Sequence, residues 1–166
     1  MLDVAMGQIL VADHQGVYVI KMVGDVRLTL CVSFDHYIED IFQKNDFCTI
    51  VFDLNDAQGL DSTTLGLIAK IAVKSEAVKN IRPVIICNSD SILKLLASMS
   101  IDTVCQIIEN SSQDYCANRN FADLSPCDDQ ECLVKEKVLE SHCVLMGLSE
   151  SNRDTFKDLV KTLEQS

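Results

Sequence analysis

Apolar residues recur along the chain with two different periods, and the switches between them divide it into alternating strands and helices. Runs at 8–12 and 17–23 are rich in Val, Ile and Leu and read as strands. The Asp13-His14-Gln15-Gly16 stretch between them has turn composition, which predicts a hairpin-like connection. Gly24-Asp25 ends the second run. Phe34, Ile38, Ile41 and Phe42 then return at helical spacing over 32–42. Ile50-Val51-Phe52 marks a buried strand at 48–54, and Asn55-Asp56-Ala57-Gln58-Gly59 reads as a loop. Leu65, Ile68, Ala69 and Ala72 carry a helix over 62–79. Pro83 opens an apolar run at 84–87, an acceptable place for Pro at a strand's first position. Ser89 or Asp90 caps a helix at 92–99, and 104–108 closes as a last short strand. Such alternation argues for an α/β layer structure with parallel crossovers after residue 48.

The pattern changes near Asn110. Residues 110–130 are polar, rich in Asn, Asp and Ser, and contain Pro126; they read as a linker or a loosely packed loop. From Glu131 the helical period returns in Val134, Val138, Leu139, Leu145 and Met146, and Gly147 interrupts it. Phe156, Leu159, Val160 and Leu163 follow after Ser149 or Ser151, giving two helices or one bent helix. The expected organisation is a domain at 1–109, a linker at 110–130 and a helical extension at 131–166. The extension's apolar stripe needs cover from the α/β part, a second copy or a partner groove. The α/β part is expected to fold without it.

Composition narrows the function classes. The net charge of −11 excludes the basic footprint that nucleic-acid backbones require. It equally disfavours anionic lipid and suits a basic face on a protein partner. The N-terminal MLDVAMGQILVADHQG has no basic n-region and carries Asp3, so it does not read as a signal peptide. No apolar run approaches the length of a membrane span, and a soluble, cytoplasmic protein without direct membrane insertion is expected. Eight cysteines stand at 31, 48, 87, 105, 116, 127, 132 and 143 with no CxxC pair. That spacing does not make a structural zinc site, and reduced thiols are expected. Cys48, Cys87 and Cys105 fall in apolar runs as small hydrophobes, whereas Cys116, Cys127 and Cys132 lie in or near the linker. His14 and His36 have no ligand spacing, and His142-Cys143 are adjacent, which points them apart on a helix. No phosphate-binding glycine loop is present. The expectation is therefore no catalytic residue, no metal and no cofactor.

The segment CTIVFDLNDAQGLDSTTLGLIAKIA at 48–72 carries the most chemistry. Asp61 and Ser62 are both good N-cap residues, which places the hydroxyls of Ser62 and Thr63 on an exposed loop at a helix N-terminus. A phosphate is tolerated there, because free amides and the positive end of the helix dipole face it. Asp25 and Arg27, after Gly24, read as a solvated turn or as part of a surface beside this loop.

The strand ending in Asp53-Leu54, the short loop, and Asp61-Ser62-Thr63-Thr64-Leu65-Gly66 opening a helix resemble the STAS domain, the fold of bacterial anti-sigma factor antagonists. VYVIKMVGDVRLTL upstream and RPVIICNSDSILKLLASMSID downstream are similar to that family's second strand and to its fourth strand and third helix. The resemblance covers roughly residues 7–108. Thr64 stands where most of the wider family has Gly. The tail resembles a longer proteobacterial branch with a C-terminal helical extension. The resemblance implies a four- to five-stranded mixed sheet with helices mainly on one face, plus that extension. It also implies an anti-sigma factor antagonist that binds an anti-sigma factor while Ser62 is unphosphorylated. A serine kinase and a PP2C-type phosphatase would set the phosphate, on Ser62 principally and Thr63 to a minor extent. The implied partner-binding loop comprises Asp25, Arg27, Asp56, Gly59, Asp61, Ser62, Thr63 and Thr64. The alternative is an accessory subunit of a membrane transport assembly.

Overall fold

Gln15 and Gly16 both take positive φ, 50° and 83°, the geometry a two-residue hairpin of the primed type needs. They join β1 (Gln8–His14) to β2 (Val17–Val26), in antiparallel register from Gln8 opposite Val23 to His14 opposite Val17. In this computed structural model, residues 6–109, 116, 119–127 and 131–166 are described. Much of the expected linker, at 110–115, 117–118 and 128–130, lies outside them.

Three helical crossovers then build a parallel sheet. Helix α1 (Cys31–Lys44) leads to β3 (Thr49–Asp53), which lies parallel to β2. After β4 (Ala57–Leu60), helix α2 (Ser62–Lys79) leads to β5 (Val84–Ile86), parallel to β3. Helix α3 (Asp90–Ser98) leads to β6 (Gln106–Ile108), parallel to β5. A two-residue strand β7 (Ala122–Asp123) pairs with β1 at Leu10 and Val11. The strand order is β6-β5-β3-β2-β1-β7, with β4 on the far end of β2. The fold is therefore α/β with a mixed sheet, followed by α4 (Glu131–Met146) and α5 (Glu150–Gln165).

Among the described residues the sheet has seven strands where four to five were expected. Both short additions are set by an open neighbouring edge rather than by their own composition. Residues 57–60, read as loop, become extended against the end of β2, where the Gly24 N–H bonds the Asp56 carbonyl at 2.9 Å. β7 comes from the polar linker and closes the β1 edge.

Strand alternation separates two unequal faces. Tyr18, Ile20, Met22, Ile50 and Phe52 join the main apolar cluster with the buried apolar residues of the five described helices, apart from Val160. Val19, Val51 and Ile86 point into a smaller cluster closed by Cys116 and Phe121 of the linker. Cys87 and Cys105 are buried, as small hydrophobes should be, but Cys48 is exposed because it precedes β3.

Helix α2 occupies the middle of the helical layers. It buries every residue from Thr63 to Ala72, which a surface helix with one apolar stripe does not do. Its outer side is covered by α4. At Gly66 an added Cβ would stand 2.4 Å from the Ser141 carbonyl oxygen and 2.6 Å from the Ser141 Cβ, so the two helices approach at nearly backbone contact. Leu145 and Phe156 belong to the main cluster. Asn152, 1% exposed, donates from Nδ2 to the carbonyls of Leu145 and Met99, both at 2.8 Å. This packing argues against independent folding of residues 1–109.

A buried ion cluster crosses the same interface. Lys70 of α2 lies 2.7 Å from Asp35 of α1 and 2.6 Å from Glu140 of α4, and Lys137 reaches Asp35 at 2.7 Å. Burial pushes the Asp35 carboxyl up, but hydrogen bonds and charge from Lys137 and Lys70 outweigh it and hold the group below its usual range. Burial likewise opposes the Lys70 charge, and the bonds to Asp35 and Glu140 outweigh it.

Two outcomes follow from this interface. Gly66→Ala should cost about 1–3 kcal/mol through overpacking, read as a lower urea midpoint. Asp35, with its folded value depressed, contributes stability that is present above the ordinary carboxylate range and lost as pH falls below about 4. Asp35→Asn should flatten that part of the stability-versus-pH curve, measured by urea unfolding at successive pH values.

Candidate functional site

The site is organised by one carboxylate. Asp61 follows β4 with extended backbone and caps α2: its Oδ1 accepts the Thr64 N–H at 2.9 Å. Its Oδ2 accepts the Leu28 N–H at 2.7 Å. A single side chain thus satisfies an orphan donor of the helix and ties the segment after β2 to the helix start.

Ser62 is the first residue of α2 and keeps part of its surface in solvent. Thr63 and Thr64 do not: they are 3% and 2% exposed. The Thr64 hydroxyl donates to the Val26 carbonyl at 3.5 Å. The hydroxyl pair expected on an exposed loop is therefore split, Ser62 half-buried and Thr63 turned into the core by the helical rotation between them.

Asp25, Arg27, Gly59 and Asp61 line one depression of about 400 Å³, together with Ser91, Ile92 and Leu95 around α3. Asp25 accepts from Arg27 Nε at 2.7 Å. Gly59 allows this closeness, since a Cβ there would stand 2.8 Å from Asp25 Oδ1. A second cleft of about 570 Å³ borders the same Asp25–Arg27 pair on the side of Met6, Thr29, Leu124 and Pro126. The pair borders both concavities, with the Arg27 side chain largely in solvent. Asp56 is set apart: its carboxylate pairs with Lys21 at 3.0 Å, and it lines neither cleft.

The residue that pattern reading passed over is His142. It is 1% exposed, and its Nε2 lies 2.8 Å from the Ser62 hydroxyl oxygen. Its Nδ1 lies 2.6 Å from the Val138 carbonyl, and its ring stands edge-on to Phe156 with centroids 5.0 Å apart. Its neighbour in sequence is Cys143, whereas its partner Ser62 lies 80 positions away. One signal pointed this way. Leu67 and Ile71 add apolar positions beyond the Leu65, Ile68, Ala69 and Ala72 stripe, and a helix with more than one apolar stripe calls for cover from a second element.

No family model matches the chain, and no curated protein matches it. Among the described residues no group of three or more His, Cys, Asp or Glu is arranged to hold a metal ion. No helix among them is long and apolar enough to cross a membrane. What the geometry offers is a partly exposed serine on an imidazole, at a capped helix start, next to a charged depression.

Removing the Asp61 carboxylate leaves two backbone donors without partners. Asp61→Ala should cost about 1–2 kcal/mol, read by denaturant unfolding, with faster amide exchange at Leu28 and Thr64. An Asp61→Asn variant should recover part of the loss, because its amide oxygen still accepts.

Proposed function

We propose that the chain is a STAS-type, cytoplasmic anti-sigma factor antagonist in a partner-switching circuit, controlled by phosphorylation of Ser62. The observation that carries this reading is the placement of Ser62. It is the surface member of the hydroxyl pair, opening α2 directly after Asp61, which lines the depression with Asp25, Arg27 and Gly59. These residues form the partner surface: an anti-sigma factor docks over the depression and the exposed start of α2 while Ser62 carries its free hydroxyl. The chain's charge of −11 favours a basic face on that partner.

Phosphorylation adds nearly two negative charges and three acceptor oxygens. The helix start tolerates them within the chain, because the dipole and free amides favour an anion. Across an interface shaped for a hydroxyl, the same group introduces bulk and misplaced charge. The modification therefore changes partner choice with little effect on the fold. The kinase and phosphatase supply their own cofactors, and this chain binds none.

Binding of partners from the native extract to immobilised wild type, Ser62→Ala and Ser62→Asp tests the switch. Ser62→Asp should lose the anti-sigma factor by about 10- to 100-fold, corresponding to roughly 1.4–2.8 kcal/mol, while Ser62→Ala retains it. The melting temperature of Ser62→Asp should stay within a few degrees of wild type, since an acid at a helix start is favourable by about 0.3–1 kcal/mol. Equal affinity for the two variants would exclude the switch.

A further inference from the structure

The Ser62–His142 contact has a definite polarity. The Val138 carbonyl only accepts, so the 2.6 Å contact to His142 Nδ1 places the imidazole proton on Nδ1. In the neutral ring Nε2 then carries a lone pair, and the 2.8 Å contact is Ser62 Oγ–H donating to His142 Nε2. A hydroxyl on an imidazole whose other nitrogen is oriented by a third group is the arrangement of an activated nucleophile. The ring is also held firmly. His142 is packed edge-on to Phe156, the Gly66–Ser141 approach fixes α4 on α2, and Asn152 fixes α5 beneath it.

We infer that His142 is the general base, built into the C-terminal helices, that activates Ser62 Oγ toward phosphoryl transfer. The choice of a phosphoryl donor rests on the reading of Ser62 as the phosphoacceptor; the activation of the hydroxyl does not. Ser62 Oγ attacks the terminal phosphorus of a nucleoside triphosphate carried by the kinase. The Oγ–P bond forms, and the bond from that phosphorus to the bridging oxygen breaks. The nucleoside diphosphate leaves with that electron pair, and the hydroxyl proton passes to His142 Nε2. The imidazolium then faces the new phosphate, while Nδ1–H stays on the Val138 carbonyl. In hydrolysis by the phosphatase a water attacks the phosphorus, the Oγ–P bond breaks, inorganic phosphate leaves, and the same nitrogen returns its proton to Oγ. The helical extension thereby supplies a positively charged group to the modified state and a base to the unmodified one.

A fluorophosphonate probe tests the activation without any kinase. The full chain should take up one probe at Ser62, located by peptide mass, and Ser62→Ala should take up none there. His142→Gln keeps an acceptor for the hydroxyl but has no basic nitrogen, and should slow labelling by about 10²–10⁴-fold. Equal labelling rates in wild type and His142→Gln, with both melting alike, would overturn the inference. Imidazole nitrogen NMR on the wild-type chain gives a readout that needs no variant: the proton belongs on Nδ1, and a proton found on Nε2 alone would equally overturn it. Phosphorylation in native extract with a nucleoside triphosphate separates the two levels. His142-dependent probe labelling with no transferred phosphate would keep the activated serine and remove the phosphoacceptor reading. Equal phosphate transfer to wild type and His142→Gln would keep the phosphoacceptor and remove the base.

Discussion

Lys70 is a charged residue in the middle of a helix that is buried on both sides. A lone ammonium in that position would cost several kcal/mol in lost hydration. Its neutralisation by Asp35 from one neighbouring helix and Glu140 from another makes α1, α2 and α4 mutually dependent. Asp35 is the buried carboxylate of the cluster and holds both Lys70 and Lys137, so removing it leaves two lysines short of their shared partner, and the cluster ties these helices together. Apolar burial alone does not select partners so sharply, because it is non-directional.

The same interface sets the position of the serine's neighbour. Gly66 lies one helical turn after Ser62, and Ser141 lies immediately before His142. With no Cβ at Gly66, the backbones of α2 and α4 come close enough for the Ser62 hydroxyl to reach the imidazole at 2.8 Å. A bulkier residue at 66 would separate the helices and lengthen that contact. The ion cluster on one side and the serine–histidine pair on the other are two products of one helix–helix approach.

Two different surroundings meet at Ser62. The side toward α4 is occupied by the protein's own histidine, while the side toward Asp61 opens into the depression under Asp25, Arg27 and Gly59. On the proposed reading, an incoming partner and the C-terminal helices would approach the start of α2 from different directions, and a phosphate on Ser62 would meet charge at the one and the imidazole at the other.

Period and capping chemistry in the sequence determined most of the local structure. The hairpin at Gln15-Gly16, the helix opening at Ser62 under Asp61, and the break at Gly147 between α4 and α5 all rest on preferences within a few residues. Two strands were hidden, because 57–60 and 122–123 are extended only by pairing with open edges of β2 and β1. The burial of Thr63 and the pairing of Ser62 with His142 were hidden for a related reason. A helix's period tells which residues share a face, but not which distant element covers that face. Leu67 and Ile71, beyond the main stripe of α2, called for cover from another element. Only the tertiary structure decided that α4 supplies it, in the register that brings Gly66 to Ser141 and a buried imidazole to the half-buried hydroxyl of Ser62.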